Sequence, residues 1–352
     1  MRALRDLVLH VIRALGGFRL ARYLTRNRLR ILCYHGFSLG DECEFAPYMF
    51  MRAATFERRM NILKKRRVPV IPLEEAIRRL ESRGIRDCET VITFDDGWSS
   101  TLTVGAPLLA RYGFPACVYV TTEHLDAGME VFNVALYYML CRTPLQTLVV
   151  EGAHPLLDGA YDLRGNRQAV HAALIKAAEE AFPAIADRQR LLTRIAAALQ
   201  LELPVVLAKG RFSLVDRAGI KELATLGHEV QLHTHSHRLP DASFEEMAAE
   251  IERNQTSLQP LLGTQQRHLC YPSGRYSPRH PEWLARLGIV SGTTCDPGLN
   301  PPGSQLLLLR RYLDSDRASD IAFEAEICGV RDLARNFRAT IGRILSGAPG
   351  RA

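Results

Sequence analysis

Two adjacent carboxylates are the first feature of this 352-residue sequence that could carry out chemistry. Asp95 and Asp96 follow the apolar run Val91–Phe94 and precede Gly97. Because successive residues of a strand point in opposite directions, we expect the two side chains to have different neighbours. One can then bind a metal ion while the other faces water or substrate. Taken alone, such a pair is also typical of a turn or a helix cap.

A group of histidines further along the chain has the spacing of metal ligands. His233 and His237 are four residues apart, with His235 between them, directly after a strand-like run. Both side chains can reach one ion from a single turn. Two imidazoles and a carboxylate form a ligand set that leaves positions open for water and substrate. A lone histidine here would favour a structural role, but the pair predicts a metal site.

Together the two segments resemble the polysaccharide deacetylases with a NodB-type domain. The family's first motif, T-F-D-D, matches Thr93–Asp96, and its second motif, H-[ST]-x-x-H, matches His233–His237. The resemblance covers roughly residues 29–325, apart from one inserted stretch. It implies an α/β fold, a distorted (β/α) barrel with fewer than eight regular units.

The same resemblance implies a role for each motif residue. Asp95 is then the catalytic base, and Asp96, His233 and His237 bind a divalent metal, for which Zn²⁺ is the simplest choice. The implied reaction removes an N-acetyl or other N-acyl group from an amino sugar.

The third motif of the family departs from its usual pattern. Cys270 occupies the place of the arginine that normally orients the catalytic base. Another residue must then orient Asp95, and the candidates are Arg310 and Arg311, which follow the apolar run Gln305–Leu309. The alternative is that both arginines are charges on the barrel rim. The rest of the motif, which reads Y-P-x-G, implies that Tyr271, Pro272 and Ser273 lie at the substrate, with the Ser273 amide as a donor to the oxyanion.

The general acid is the second departure. In the common family pattern a late leucine-rich motif ends in a histidine, but here the leucines of Leu306–Leu309 are followed by arginine. A subgroup that resembles the exopolysaccharide deacetylases takes its acid from an N-terminal strand ending in Tyr-His. Tyr34 and His35 match that strand, so His35 is the predicted acid. A structural hydrogen bond at the strand end is the alternative role for His35.

Two other functions remain open. Related barrels hydrolyse small cyclic amides or formamides, and the loops that set this specificity are not decoded by sequence. The missing arginine also leaves room for a non-catalytic, sugar-binding protein with a vestigial metal site. Metal content combined with acetate release separates the three possibilities.

Strand-like runs alternate with amphipathic helices after residue 29, which predicts a parallel sheet closed, or nearly closed, into a barrel. The predicted strands are Arg30–Tyr34, Val68–Ile71, Thr90–Phe94, Ala116–Val120, Glu229–His233, His268–Tyr271, Ile289–Thr293 and Gln305–Leu309. The predicted helices are Phe56–Arg66, Leu73–Arg83, Pro107–Tyr112, Arg217–Leu226, Phe244–Leu262 and Pro281–Leu287. The alternation lapses at about residues 126–211, which we interpret as a mainly helical insertion near the mouth of the site. A separate second domain is the alternative.

Both ends of the sequence are basic and amphipathic. Residues 1–28 precede the predicted barrel and residues 326–352 follow it, and eight arginines occur before residue 31 against one acid, Asp6. A helix over residues 4–18 fits three roles: packing on the barrel, lying on an anionic membrane surface, or binding nucleic acid. We do not expect nucleic acid, because no aromatic platform or nucleic-acid-binding motif accompanies the arginines.

The cysteines and the N-terminus bear on location. The eight cysteines are scattered without a CxxC pair, which favours buried reduced thiols. The first residues do not read as a signal peptide, and no apolar run is long enough to span a membrane. We therefore expect a cytoplasmic protein, peripheral at the inner membrane face. Its expected substrate is an N-acetylated sugar carried on a polyprenyl phosphate or a nucleotide.

Overall fold

Seven parallel strands close into a barrel in the order β1-β11-β10-β9-β8-β5-β4, which confirms the predicted fold class. The computed structural model describes residues 2–125 and 129–346, with residues 339–346 as helix backbone alone. Two further pairs of short strands lie outside the barrel. The strands are β1 (Arg30–Tyr34), β2 (Gly36–Phe37), β3 (Phe50–Met51), β4 (Thr90–Phe94), β5 (Cys117–Val120), β6 (Thr147–Val150), β7 (Gly159–Asp162), β8 (Glu229–Leu232), β9 (His268–Cys270), β10 (Ser291–Pro297) and β11 (Leu309–Leu313).

Helices fill the connections between the strands and cover the barrel. They are α1 (Arg2–Ala14), α2 (Gly17–Leu24), α3 (Glu42–Phe45), α4 (Ala53–Lys65), α5 (Leu73–Glu81), α6 (Ala106–Tyr112), α7 (Phe132–Arg142), α8 (Arg167–Ala181), α9 (Ile185–Ala198), α10 (Leu203–Val206), α11 (Arg217–Thr225), α12 (Phe244–Leu262), α13 (His280–Arg286), α14 (Asp320–Ile327) and α15 (Val330–Ser346). Local sequence explains their ends in several cases. At α12, for example, Ser243 caps the first turn by accepting a hydrogen bond from the Glu246 amide, and Gly263 ends the helix with a left-handed backbone.

Three predictions of secondary structure are wrong in detail. Residues 68–71 form no strand and contribute one isolated bridge, between Val70 and Thr90. The leucines predicted as a strand over residues 305–309 form a short 3₁₀ turn, and the strand itself begins at Leu309. The N-terminal helix is broken in two at Gly16, whose left-handed backbone turns the chain.

The closed amino end of the barrel is apolar. Ile31 and Val91 lie opposite each other in the register of β1 and β4, and their side chains join a buried cluster that includes Leu309. Residues of α5, among them Leu73 and Ile77, belong to the same cluster and cover this end.

The inserted stretch has a hydrophobic core of its own. Helices α7, α8 and α9 pack around the hairpin of β6 and β7, so the insertion is not purely helical. Its core also takes in Phe50 and Trp98, which belong to the barrel segments beside the site. Where the insertion ends, the Ser99 amide donates to the Ser213 carbonyl and the Val215 amide donates to the Gly97 carbonyl, at 2.9 and 2.8 Å. The insertion thus returns to the barrel directly beside Asp96.

Among the described residues, no single helix combines the length and hydropathy needed to cross a membrane. The bent pair Ile185–Ala198 and Leu203–Gly210 meets the criteria of length and composition when taken together.

Candidate active site

Three side chains converge at the carboxyl ends of β4 and β8. The Asp96 Oδ1 atom lies 3.2 Å from His233 Nε2 and 3.3 Å from His237 Nε2. His233 is buried, whereas 44% of the His237 side chain is exposed at the rim of the barrel. The structure therefore brings together the three residues predicted from the motifs as metal ligands.

The hydrogen bonds around these side chains leave the right atoms free for a metal. His233 Nδ1 lies 2.8 Å from the Cys270 carbonyl, so this nitrogen donates its proton and Nε2 keeps its lone pair. The Trp98 indole donates to Asp96 Oδ2 at 2.9 Å, which turns Oδ1 towards the imidazoles. Ligand atoms about 2.1 Å from one ion lie about 3.0–3.4 Å apart, so the observed separations fit a divalent metal.

Asp96 is ionised in this setting. Burial alone would raise the pKa of its carboxyl group, but the adjacent imidazoles of His233 and His237 lower that pKa well below its usual range. A carboxylate and two imidazoles make a donor set of the kind that binds Zn²⁺ and related divalent ions.

Asp95 is paired with Arg311, although its carboxylate also lies within 4.8 Å of a His233 ring nitrogen. The guanidinium makes two parallel bonds, Nη1 to Oδ1 and Nη2 to Oδ2, each 2.7 Å long. Both side chains are buried, and Arg311 Nε donates to the Thr294 carbonyl at 2.8 Å. A paired geometry of this kind holds the carboxylate plane in one orientation.

The strand alternation decides between the two candidate arginines. In β11, Leu309 and Arg311 point into the barrel and Arg310 is exposed outside it. The predicted strand ended at Leu309, and with that boundary neither arginine could be assigned to a face. The side chain of Arg310 is not brought to Asp95, whereas Arg311 lies against it.

Two thiols complete the surroundings of Asp95. The Sγ atoms of Cys33 and Cys270 lie 3.5 and 3.4 Å from Oδ2, and Arg311 Nη2 is 3.2 Å from the Cys270 sulfur. Burial raises the pKa of both thiols, so they add no negative charge beside the carboxylate. Cys270 occupies the motif position where the family usually has an arginine. In the structure its sulfur contacts a different arginine, Arg311 of β11.

The ion pair controls the charge of Asp95. Burial would raise the pKa of this carboxyl group, but the charge and hydrogen bonds of Arg311 lower it to well below its usual range. Asp95 is therefore an ionised acceptor near neutral pH.

His35, the predicted general acid, lies on the other side of Asp95. Its Nε2 atom is 3.9 Å from Asp95 Oδ2, and 21% of the side chain is exposed. Its Nδ1 atom is buried without a hydrogen-bond partner among the described residues. The structural hydrogen bond considered as an alternative role for His35 is thus not seen in the described part of the chain.

The third-motif residues divide between packing and the site mouth. The Tyr271 ring is buried against Tyr276 and His280, and its hydroxyl donates to the Leu307 carbonyl at 2.9 Å. Pro272 is buried next to it, while Ser273 is exposed. The side chain of Tyr271 therefore supports the strand end rather than facing the carboxylates, and Ser273 is left as the substrate-facing candidate.

Helix α12 holds the histidine loop in place, a role that the sequence analysis missed. Asn254 accepts a hydrogen bond from the His233 amide at 3.1 Å and donates to the Val120 carbonyl and to Thr122, also at 3.1 Å. One turn earlier, Glu250 accepts from the Ser236 hydroxyl at 2.8 Å. A signal was present, because Asn254 is a polar residue in an otherwise apolar helical stripe.

The backbone is strained at the same place. Asp96, Thr234, His237 and Ser273 all have positive φ angles, between 54° and 72°, and none is glycine. Such conformations cost about 1–3 kcal/mol each and cluster at functional sites.

Comparisons with known proteins agree with this geometry. Residues 193–292, which contain the histidine pair and the third motif, match the family described as polysaccharide deacetylase. No curated protein sequence matches the chain.

Several solved structures share its fold, and three of them are described here. The Streptococcus pyogenes deacetylase PplD in complex with acetate has a TM-score of 0.58 at 18% identity, covering 86% of this chain and 99% of that one. IcaB from Ammonifex degensii has a TM-score of 0.55 at 18% identity, covering 86% and 97%. A de-N-acetylase from Aggregatibacter actinomycetemcomitans has a TM-score of 0.52 at 14% identity, covering 85% and 99%.

A closed parallel barrel with a carboxylate pair and a histidine pair at its carboxyl end is the arrangement that the polysaccharide deacetylase motifs predicted. The structural likenesses establish the fold. The family match covers residues 193–292 alone, and it makes this part of the chain similar to polysaccharide deacetylases.

Proposed function

We propose that this protein is a divalent-metal-dependent N-deacetylase of amino sugars. The proposal rests on two groups of side chains that lie next to each other at the carboxyl end of the barrel. Asp96, His233 and His237 present three ligand atoms to one point, and the adjacent Asp95 is held ionised by Arg311. A metal held by the first three residues supplies a Lewis acid to the acyl carbonyl and makes water more acidic, and Zn²⁺ is the simplest choice.

The residues of the chain divide the proton transfers between them. Asp95 accepts a proton from the attacking water, because its carboxylate is ionised and fixed in orientation. His35 donates a proton to the departing amine, since a bare amide anion is too poor a leaving group. The exposed position of Ser273 suits a backbone amide that donates to the oxyanion. Amide and water are thereby converted into amine and acetate.

The acetate in the PplD structure fits the same reaction, because acetate is the product that deacetylation releases. We further propose that the sugar is carried on a polyprenyl phosphate or a nucleotide in the cytoplasm. All eight cysteines are free, which suits a reducing compartment.

Mass spectrometry of acceptor sugars incubated with the metal-loaded protein tests this function. We expect N-acetylated lipid-linked or nucleotide-linked sugars to lose one acetyl group, with stoichiometric acetate release that a chelator abolishes. Release of formate or ring opening of a small cyclic amide, without loss of acetyl from any sugar, would instead support the small-amide hydrolase. A metal-loaded protein that acts on neither class would support the sugar-binding alternative.

A further inference from the structure

Helix α1 packs on the protein through its polar side. Arg13 pairs with Glu324 of α14 at 3.2 Å, and Asp6 lies beside Ser319, the residue that caps α14. Leu9 is buried on the same side. The opposite side of the helix is an apolar stripe exposed by 49–82%, formed by Leu4, Leu7, Val8, Val11 and Leu15. A surface helix ordinarily turns its apolar stripe towards the core, so α1 has the reverse orientation.

Helix α2 extends the same stripe. Phe18 and Ala21 anchor α2 in the core, while Leu20, Tyr23 and Leu24 are exposed. Of the fifteen large apolar side chains that are exposed in the described part of the chain, eight lie before residue 25. Such side chains are unremarkable when scattered, but a contiguous group marks an interaction surface. We call these eight residues of α1 and α2 the apolar face.

The border of the apolar face is positively charged. Arg19, next to Leu20 in α2, and Arg26, just after α2, are exposed beside its residues, and the Arg26 guanidinium stacks on the Tyr23 ring at 4.2 Å. Asp6 is the one acid of these helices, and its carboxylate is already paired with Arg5 at 2.9 Å. An apolar centre with an arginine border complements the hydrocarbon and headgroup layers of an anionic bilayer.

The same charges argue against other occupants. Two copies of the chain packed face to face would bring their arginine borders together, which like-charge repulsion disfavours. A nucleic acid would meet a leucine-rich centre that offers nothing to phosphate. The bilayer is the partner that uses both the centre and the border of the apolar face.

The position of α1 connects this face with the catalytic end of the barrel. Asp6 contacts Ser319, which follows the carboxyl end of β11, and Arg13 contacts Glu324 further along α14. Helix α1 thus begins at the end of the barrel that holds Asp95 and runs down its outer wall.

We propose that the apolar face docks this protein on the surface of an anionic bilayer with the mouth of the barrel beside the headgroups. Docking itself does not depend on the proposed catalytic function. The further step, that the substrate is lipid-carried, rests on that function.

Flotation of the full-length protein with vesicles tests docking directly. We expect binding to phosphatidylcholine vesicles that contain phosphatidylglycerol, and weaker binding as salt is raised. The variant Leu4→Gln/Leu7→Gln/Val11→Gln should need at least about tenfold more lipid for half-maximal binding. The matched control, Leu156→Gln/Val205→Gln/Leu226→Gln, removes three exposed apolar side chains elsewhere and should bind like the parent. Deletion of the helices is a poorer test, because Thr25 is a hydrogen-bond partner of the buried Arg30.

Several outcomes would overturn docking. Docking is contradicted if the parent protein fails to float with anionic vesicles at low salt, or if the triple variant floats as well as the control. A parent that is dimeric by light scattering, and a triple variant that is monomeric, would assign the face to a second copy. Unchanged metal content and thermal midpoint in the triple variant show that the barrel is intact, so that a failure here is distinct from a failure of the catalytic proposal.

Discussion

Two neighbouring carboxylates of the same strand end have different partners in this protein. Asp96 is turned towards two imidazoles by the Trp98 indole, and Asp95 is held by a guanidinium inside the barrel. The sequence predicts different neighbours from strand alternation, but β4 ends at Phe94 and it is the left-handed turn at Asp96 that separates the two side chains. The identity of the guanidinium was not predictable, because it depends on a register set by the whole of β11.

Exchanging the carboxylates one at a time should separate their roles. We expect Asp95→Asn to keep its metal and lose about 10²–10⁴ in kcat, because an amide cannot accept the proton of water. Asp96→Asn should instead weaken metal binding, since one of three ligands is lost. Metal content by plasma mass spectrometry and kcat on one substrate measure both effects.

Stability is the control for this exchange. Asp95→Asn leaves the buried Arg311 charge without its partner, which can cost about 3–5 kcal/mol. The double variant Asp95→Asn/Arg311→Met removes both charges and should recover part of that loss while staying inactive. If Asp95→Asn loses its metal and Asp96→Asn keeps it, the assigned roles must be exchanged.

His35 is the residue on which amine protonation depends. We expect His35→Ala to retain metal and fold but to lose about 10²–10⁴ in kcat, the usual range for a general acid. The alkaline limb of the pH–rate profile should disappear with the imidazole. A loss of less than about tenfold, with the limb intact, would make His35 structural. His35→Gln is the matched variant that keeps polarity without a titrating group.

At the scale of elements, α12 determines where the histidines lie. Its buried stripe contains Met247, Ile251 and Leu258, and Asn254 falls in the same series. Sequence periodicity predicted this helix with the observed bounds. It did not predict that one polar side chain of the stripe ties β5 to β8, because barrel closure brings together the partners of Asn254, which are two backbone groups and the Thr122 hydroxyl.

Replacing Asn254, which holds the backbone of His233, should therefore weaken metal binding. We expect Asn254→Ala to lower metal affinity about 10–100-fold, as loss of a supporting residue typically does. Unfolding should become easier by about 2–4 kcal/mol, because three hydrogen bonds to buried groups are lost. Isothermal titration with Zn²⁺ and urea unfolding measure the two effects. Thr256→Ala, on the exposed side of the same helix, is the control, and equal effects of both substitutions would contradict a positioning role.

Strand boundaries explain most of the remaining differences between expectation and structure. Strands β1 and β4 occur where the apolar runs predict them, because both faces of those strands are buried. The leucine run before β11 is equally apolar, but its residues form a turn whose Leu307 carbonyl accepts the Tyr271 hydroxyl. Apolar content alone does not distinguish a strand from such a turn.

On the scale of the whole molecule, buried histidines make stability depend on pH. Burial lowers the pKa of five of them, listed here in chain order: His124, His171, His228, His268 and His280. For His124 the pKa falls from 6.5 to about 4. Since the folded state binds fewer protons than the unfolded state between these values, stability is present above pH 6.5 and is lost as the pH falls towards 4.

Replacement of His124 should flatten that dependence. As the pH falls from 6.5 to about 4, we expect the free energy of unfolding to decrease by about 2 kcal/mol less in His124→Gln than in the parent protein. This figure includes a discount because His124 is partly exposed to solvent. Urea unfolding across the interval measures the difference, and His10→Gln, at an exposed position, is the control. Parallel curves for the parent and the His124 variant would show that other groups cause the acid sensitivity.

The ion pair inside the barrel joins residues 216 positions apart, and its arginine lies on the last barrel strand to be synthesised. If the barrel closed before Arg311 had emerged from the ribosome, Asp95 would be buried without a counter-charge, at a cost of several kcal/mol. The barrel therefore closes only after β11 has been synthesised, when this strand enters between β1 and β10. Until then the apolar strands depend on chaperones or local structure for protection. A polypeptide truncated before Arg311 should therefore stay unfolded and be degraded by proteases, rather than fold with reduced activity.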